Sequence, residues 1–224
     1  MASDATPLVL AFDTSAAHCA AALCQGPETR AHRAEPMARG QAERLLPLLE
    51  EVLAAAGTSW ADLDAIAVGT GPGNFTGIRL SVAAARGLAL ALGRPAIGVS
   101  LFEALAHGRP GPVLVLAENR RGAPFAQAFR DGVPLAPPVT GLEALPPLDP
   151  ATLCLGFGAA EAAGSLGLHA GAEASLADPR AIAAAAMGRI APDAPRPVPL
   201  YLRPADAAPS SVVPPVLLDA EPPR

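Results

Sequence analysis

Leu8 to Phe12 is a short apolar run that stops at Asp13-Thr14-Ser15, the pattern of a buried strand ending in a polar turn. His18 to Cys24 reads as a second strand. After the turn signal Gln25-Gly26-Pro27, Glu28 to Ala34 alternates polar and small residues as a third strand at a sheet edge would. Three strands joined by tight turns predict an antiparallel meander. The hydrophobic period then changes to that of a helix: Leu45, Leu48, Leu49, Val52 and Leu53 share one stripe over Gln41 to Ala56, and Glu43, Glu50 and Glu51 lie off it. Gly57 is the natural stop, and Pro47 should either start the regular part of this helix or bend it. Ser59-Trp60-Ala61-Asp62 resembles a capping box, Asp64 to Gly69 a buried strand, and Thr70 to Phe75 the loop after it. Thr76 to Leu92 predicts a second helix whose apolar residues spread all round, namely Ile78, Leu80, Val82, Leu88, Leu90 and Leu92, so that a single face cannot bury them all. Ala96 to Val99 is a fifth strand, with Ser100 as N-cap of a helix over Leu101 to Ala106.

Beyond this point the pattern is poorer. His107-Gly108-Arg109-Pro110-Gly111-Pro112 has linker composition and marks the expected lobe boundary. A second, weaker copy follows: Val113 to Ala117 as a strand, Arg120-Arg121-Gly122 as a turn, and Phe125 to Arg130 as a strand. Leu153 to Leu155 reads as a later strand, Gly158 to Ala163 as a short helix, and Asp178 to Ile190 as an alanine-rich helix with Asp178 as N-cap. Most of the 26 prolines lie beyond Arg109, and a run such as Pro134-Leu135-Ala136-Pro137-Pro138 fits neither a helix interior nor a central strand. The order of three meandering strands, helix, strand, helix, strand resembles the repeat unit of ribonuclease H-like and actin-like ATPase folds. The expectation is a two-lobed α/β protein: a complete N-terminal lobe over residues 6–106, a reduced C-terminal lobe over 107–204, and a mobile tail over 205–224.

Composition narrows the function classes. Hydrophobic residues make up 51% of the 224, enough to build a core and too many for a disordered chain. A net charge of −5 argues against a chain that grips RNA phosphates by itself, since that needs clustered positive charge. Cys19, Cys24 and Cys154 form no CxxC pair and leave an odd count, so buried thiols in a reducing compartment are expected. The apolar stretch near the N-terminus is broken by Asp13 after few residues and has no basic flank, which predicts neither signal peptide nor membrane span, and hence a cytoplasmic protein.

Two motifs are candidates for chemistry. The loop Gly69-Thr70-Gly71-Pro72-Gly73-Asn74-Phe75-Thr76-Gly77 joins a strand to a helix, where backbone amides can cradle an anion; the same glycines would also serve a tight crossing. Asp13, Thr14 and Ser15 end the first strand, where an actin-like fold sets a carboxylate and hydroxyls against phosphate or its metal; a plain polar turn is the other reading. Asp13, Thr14, Ser15, Gly71, Gly73, Asn74 and Thr76 are therefore the candidate nucleotide or anion loop. His18, His32, His107 and His169 include no i, i+4 pair, so no helical metal-binding pair exists and no metal is expected. No GxSxG elbow or HExxH string occurs. Glu118-Asn119-Arg120-Arg121 reads equally as a solvated turn or a site, and Gly156-Phe157-Gly158-Ala159 reads more readily as packing than as a nucleotide contact.

The string Gly71-Pro72-Gly73-Asn74-Phe75-Thr76-Gly77-Ile78-Arg79 resembles the PGxFTGxR signature of the TsaB (YeaZ) family of tRNA threonylcarbamoyladenosine biosynthesis subunits. Phe12-Asp13-Thr14-Ser15, Leu45-Leu46-Pro47-Leu48-Leu49, Asp62-Leu63-Asp64 and Gly98-Val99-Ser100 fall in that family's order, and the likeness thins after residue 106. Two departures stand out: Glu118-Asn119-Arg120 replaces a common Asp-Ala-Arg, and Gly40-Gln41 replaces a common His-Ser ahead of the first long helix. The resemblance implies a non-catalytic subunit that pairs with TsaD, the enzyme that transfers threonylcarbamoyl to N6 of adenosine 37 in tRNAs reading ANN codons. It further implies TsaE as the associated ATPase and contact with tRNA only through the complex. No cofactor is expected in this chain itself, with ATP or ADP a candidate at the complex interface, and a homodimer is a candidate form of the isolated protein. TsaD holds its metal with a His-x-x-x-His pair, which this sequence lacks. Pairing is expected through the two long helices, with Leu45, Leu49, Val52, Arg79, Val82, Ala83, Arg86 and Leu90 as interface. The alternatives are a peptidase of the glycoprotease-like group and a free-standing actin-like ATPase or kinase.

Overall fold

The computed structural model describes residues 6–174 and 176–202; the expected tail over 205–224 lies outside the described residues. The first half forms β1 (Leu8–Asp13), β2 (His18–Gln25), β3 (Glu28–Pro36), α1 (Gln41–Ala55), β4 (Ala65–Gly69), α2 (Phe75–Leu92), β5 (Ala96–Val99) and α3 (Leu101–Ala106). The second half forms β6 (Pro112–Ala117), β7 (Phe125–Arg130), β8 (Val133–Pro134), β9 (Val139–Thr140), β10 (Leu153–Gly156), α4 (Ala159–Leu166), β11 (His169–Ala170) and α5 (Pro179–Met187).

The first sheet has the order β3-β2-β1-β4-β5, the second β11-β10-β6-β7-β8 with β9 also on β7. In the first, β1 pairs antiparallel with β2 and parallel with β4. In the second, β6 pairs antiparallel with β7 and parallel with β10. The two sheets are therefore copies of one topology, that of the actin-like, ribonuclease H-like fold. Strands β1 and β4 are apolar on both faces because both faces are covered, which is why they read as continuous runs and not as alternation.

The layers follow from three clusters of apolar side chains. Leu45, Leu48, Leu49 and Val52 of α1 and Ile78, Val82 and Ala85 of α2 pack on Leu10, Phe12, Leu23 and Ile66 on the outer face of the first sheet. Between the sheets lie α3 and α5, where Phe102, Ile182 and Ala183 pack with Val9, Ala67 and Val115. On the outer face of the second sheet, Ala159, Ala162 and Ala163 of α4 meet Leu114 and Leu116, with Leu142, Leu145 and Leu148 of the Pro-rich connection filling in.

Local sequence explains the helix ends. Gly57 takes a left-handed φ of 63°, as the stop of α1 requires. Ser100 accepts from Glu103 N–H while the Glu103 carboxylate accepts from Ser100 N–H, a complete capping box for α3. Gly40 at the N-cap of α1 offers no side chain, and Gln41 instead donates to the carbonyl of Met37 at 3.1 Å. Pro47 sits within α1 on its solvent side. Helix α1 is tied to the edge strand by Arg44, whose guanidinium is bidentate to Glu35 (2.7 and 2.6 Å) and to Glu51 (2.7 and 2.8 Å). Among the described residues, α2 is the one helix long and apolar enough by composition to cross a membrane; its inner face is packed on β4 and β5.

Candidate functional site

The turn after β1 and the loop after β4 are brought together because β1 and β4 are parallel neighbours whose C-terminal ends lie side by side. Asp13 Oδ1 accepts from Ser15 N–H (3.0 Å) and Ser15 O–H (2.8 Å), Thr14 O–H donates to the Gly77 carbonyl (2.7 Å), and Asn74 N–H donates to the Ser15 carbonyl (2.5 Å). Three glycines allow that approach. A Cβ on Gly69 would run into the Asp13 carboxylate, one on Gly73 into the Ser15 carbonyl, and one on Gly77 into the Thr14 carbonyl. Asp13 and Thr14 are fully buried beneath them.

The structure brings together the residues of the expected anion loop, Asp13, Thr14, Ser15, Gly71, Gly73, Asn74 and Thr76, and gives several of their polar groups partners within the chain. The amides of Thr76 and Gly77 that open α2 are taken by Asn74 Oδ1 (3.0 and 3.4 Å), and that of Ile78 by the Asn74 carbonyl (2.9 Å). Donors already satisfied by the chain are not free for an outside phosphate. The glycines serve the close crossing of strand and loop, and Gly71, at a φ of 93°, gives its carbonyl to Leu101 N–H at 2.8 Å.

One residue pair here went unrecognised in the sequence. His18 Nε2 lies 2.9 Å from Asp13 Oδ1, both side chains are buried, and Asp13 Oδ2 has no hydrogen-bond partner among the described residues. The signal was a histidine five positions after an aspartate across the mouth of a tight β1–β2 hairpin.

In the second half, the equivalent loop is closed by a different device. Gly156 (φ 96°) lets the chain pass the Leu116 carbonyl, and the Glu173 carboxylate accepts from the amides of Gly158 (3.0 Å) and Ala160 (3.1 Å) at the start of α4. A charged cap fifteen residues away in the chain leaves no local sequence mark. The Glu118-Asn119-Arg120 turn is exposed at Glu118 and Arg120, and Asn119 ties it internally through the Ala123 carbonyl at 2.9 Å.

The candidate interface residues divide in two. Leu45, Leu49, Val52 and Val82 point at the first sheet and are at most 3% exposed, so they form the chain's own core and are withdrawn as surface residues. The correction has a simple cause: the regular apolar stripe of a helix marks the face turned to its own sheet. Arg79, Ala83, Arg86 and Leu90 lie on the opposite, exposed face of α2, Leu90 at 82%. Helix α1 adds Glu43, Leu46, Pro47 and Glu50 on the same side of the molecule, none of which belongs to its stripe. Among the described residues the second sheet lies on the other side of the first, and Tyr201 of the second half reaches this face at Phe75 and Arg79 while Ala83, Arg86 and Leu90 stay exposed.

The three cysteines are buried thiols without activation: burial pushes Cys19 up to about 11 and raises Cys24 and Cys154 as well.

Comparison with known proteins agrees with these features. A family model described as TsaD, tRNA N6-adenosine threonylcarbamoyltransferase, matches residues 34–128. The tRNA threonylcarbamoyladenosine biosynthesis protein TsaB of Escherichia coli is 40% identical over 112 residues, covering 49% of this chain and about half (48%) of that protein. An uncharacterised protein of Mycobacterium tuberculosis is 36% identical over 207 residues, 91% of this chain and 95% of its own. Among solved structures, YeaZ from Pseudomonas aeruginosa superposes with a TM-score of 0.67 at 26% identity, covering 88% of this chain and all of that one. With the Asp13 turn packed under the Gly69–Gly77 loop, the paired sheets and these relatives, the chain belongs to the TsaB (YeaZ) family.

Proposed function

We propose that this chain is the non-catalytic partner of a TsaD-type enzyme in the threonylcarbamoylation of N6 of adenosine 37 of tRNAs that read ANN codons. The observation that carries the reading is the outer face of α1 and α2. It holds the exposed Leu46 and Leu90 together with the small, exposed residues Ala83 and Gly87, and among the described residues these four stay open to solvent. Small residues let a second pair of helices approach closely, and the exposed leucines supply apolar area to bury. The reading leaves catalysis to the partner, since the sequence has no His-x-x-x-His pair and Asn74 holds the amides of Thr76 and Gly77 that open α2. In this reading TsaE is the ATPase of the assembly, nucleotide binds where subunits meet, tRNA is contacted only within the complex, and the isolated chain can self-associate through the same face.

Size-exclusion chromatography of the purified chain with and without the TsaD subunit of the same organism tests this. The expected result is a TsaD-dependent shift, lost in Leu90→Glu while the variant's circular dichroism is unchanged. Peptide hydrolysis or ATP turnover by the chain alone would reject the reading.

A further inference from the structure

Helix α2 carries two charges, Arg79 and Arg86, both arginine and both on its exposed face. Arg79 is held in place. Its guanidinium carbon lies 3.6 Å from the centroid of the Phe75 ring and 5.6 Å from that of Tyr201, and its Nε donates to the Tyr201 hydroxyl at 2.7 Å. The two rings are themselves 5.1 Å apart. Tyr201 is fixed from the other side as well, since the neighbouring Leu200 N–H donates to the Thr70 carbonyl (2.9 Å) and Pro197 packs against Gly98, where a Cβ would lie 3.1 Å from the proline's own. Among the described residues the two terminal nitrogens of Arg79 have no hydrogen-bond partner.

An arginine ordered by aromatic faces, with the end of its fork open, is built to take a planar oxyanion, because its side-chain freedom has already been lost on folding. Phe75 and Tyr201 stay 42% and 45% exposed around it, so the site has an apolar rim that a partner can cover. We propose that the Phe75–Arg79–Tyr201 clasp is a preformed receptor for an aspartate or glutamate side chain of the partner protein, and that the segment delivering Tyr201 is part of the docking surface. The inference rests on the pairing proposed above and names the contact that would anchor it. A protein carboxylate fits better than an RNA phosphate because the same face continues through Ala83 and Gly87 to Leu90, which a sugar-phosphate backbone would leave uncovered, and because the chain carries a net charge of −5. No acidic residue of α2 can satisfy Arg79 from within the helix.

Calorimetric titration of the full chain with the TsaD subunit, at low and high salt, tests the clasp. Arg79→Gln and Tyr201→Ala should each weaken the complex about tenfold or more, as loss of a central arginine or aromatic anchor does. Arg79→Lys should weaken it nearly as much, since lysine keeps the charge and loses the fork and the stacking. Tyr201→Phe keeps the ring and should cost only about threefold. The Gln variant should also lose most of the salt dependence of the dissociation constant, which a merely structural role for Arg79 would leave in place. Wild-type binding with an unchanged Arg79→Gln complex overturns the clasp and leaves the pairing standing. Absence of wild-type binding overturns both. An unchanged complex whose tRNA affinity falls in Arg79→Gln assigns the fork to phosphate and overturns the carboxylate.

Discussion

The two sheets have the same strand order and the same sense of pairing, yet they are covered differently. Over the outer face of the first lie two long helices, and α1 presses five large aliphatic side chains onto it. Over the second lie one short helix that contributes alanines and a Pro-rich connection that contributes partly buried leucines. Strand order follows from hairpins and right-handed crossovers, which need only short apolar strands and turns. The cover over a sheet is a separate matter and can be thinned without changing the order. Neither half is independent, because α3 of the first and α5 of the second share the layer between the sheets. A thinner outer cover on the second sheet is thus tolerated by a molecule whose middle layer holds both sheets.

The largest effects should come from the thick cover. Leu49→Ala removes a fully buried side chain between α1 and the first sheet and should cost about 2–5 kcal/mol. Leu142→Ala, in the partly buried connection over the second sheet, should cost about 1 kcal/mol. Urea denaturation of the two variants reads the difference directly, and equal losses would mean that the Pro-rich connection is packed as tightly as a helix. Next in size is the loop crossing. Gly77→Ala would drive a methyl group into the Thr14 carbonyl, which is backbone and cannot rotate away, so a loss of about 1–3 kcal/mol is expected. Gly164→Ala in α4 meets nothing and should stabilise by about 0.5–1 kcal/mol.

How far the sequence could be read follows the same division. In the first half, the strand ends, the stripe of α1 and the Ser100 cap are local patterns of apolar residues, glycine and serine, and the structure repeats them within a residue or two. In the second half β8, β9 and β11 are two residues long, held by register to their neighbours, and no periodicity can show in so short a stretch. Site residues fared by their sequence separation. The Asp13–Ser15 turn and the Gly69–Gly77 loop were both visible, but Asn74 as the cap that occupies the helix amides was not, nor the union of Arg79 with Tyr201 across 122 positions. Apolarity misled at Leu45, Leu49, Val52 and Val82, because a count of grease on a helix does not say which part its own sheet consumes.

Acid should separate the lobes more gently. The Arg44 guanidinium hydrogen-bonded to Glu35 and Glu51 holds both carboxyls below their ordinary value of 4.5, and all three tie the first sheet's edge to α1. A group whose folded value is depressed adds stability above its unfolded value and loses it as pH falls through the folded one. Melting temperature should therefore drop as pH is lowered below about 4.5, and Arg44→Met should flatten that drop. In the second half Asp149 is also held low, first by the Ala151 amide and then by Arg130, so part of the acid sensitivity should survive in Arg44→Met. A wholly flat profile in that variant would assign the acid response to the first lobe alone.

The smallest expected effect compares the two helix N-termini that open equivalent loops. Helix α2 is capped by the neutral Asn74 and has no acid in its first turn, whereas α4 is capped by the charged Glu173 reaching in from beyond the helix. A carboxylate at a helix N-terminus interacts favourably with the helix dipole by about 0.3–1 kcal/mol, an effect that salt screens. Asn74→Asp keeps the side-chain acceptor geometry and should stabilise the protein by about that amount at low salt, the gain fading at high salt. Glu173→Gln should do the opposite, losing the charge while an acceptor oxygen remains for one of the two amides. Matched changes of opposite sign, both erased by salt, would show that the two loops are built on the same electrostatic plan despite their different cover. A loss in Asn74→Asp would place the buried Asp13 carboxylate close enough for its repulsion to outweigh the dipole.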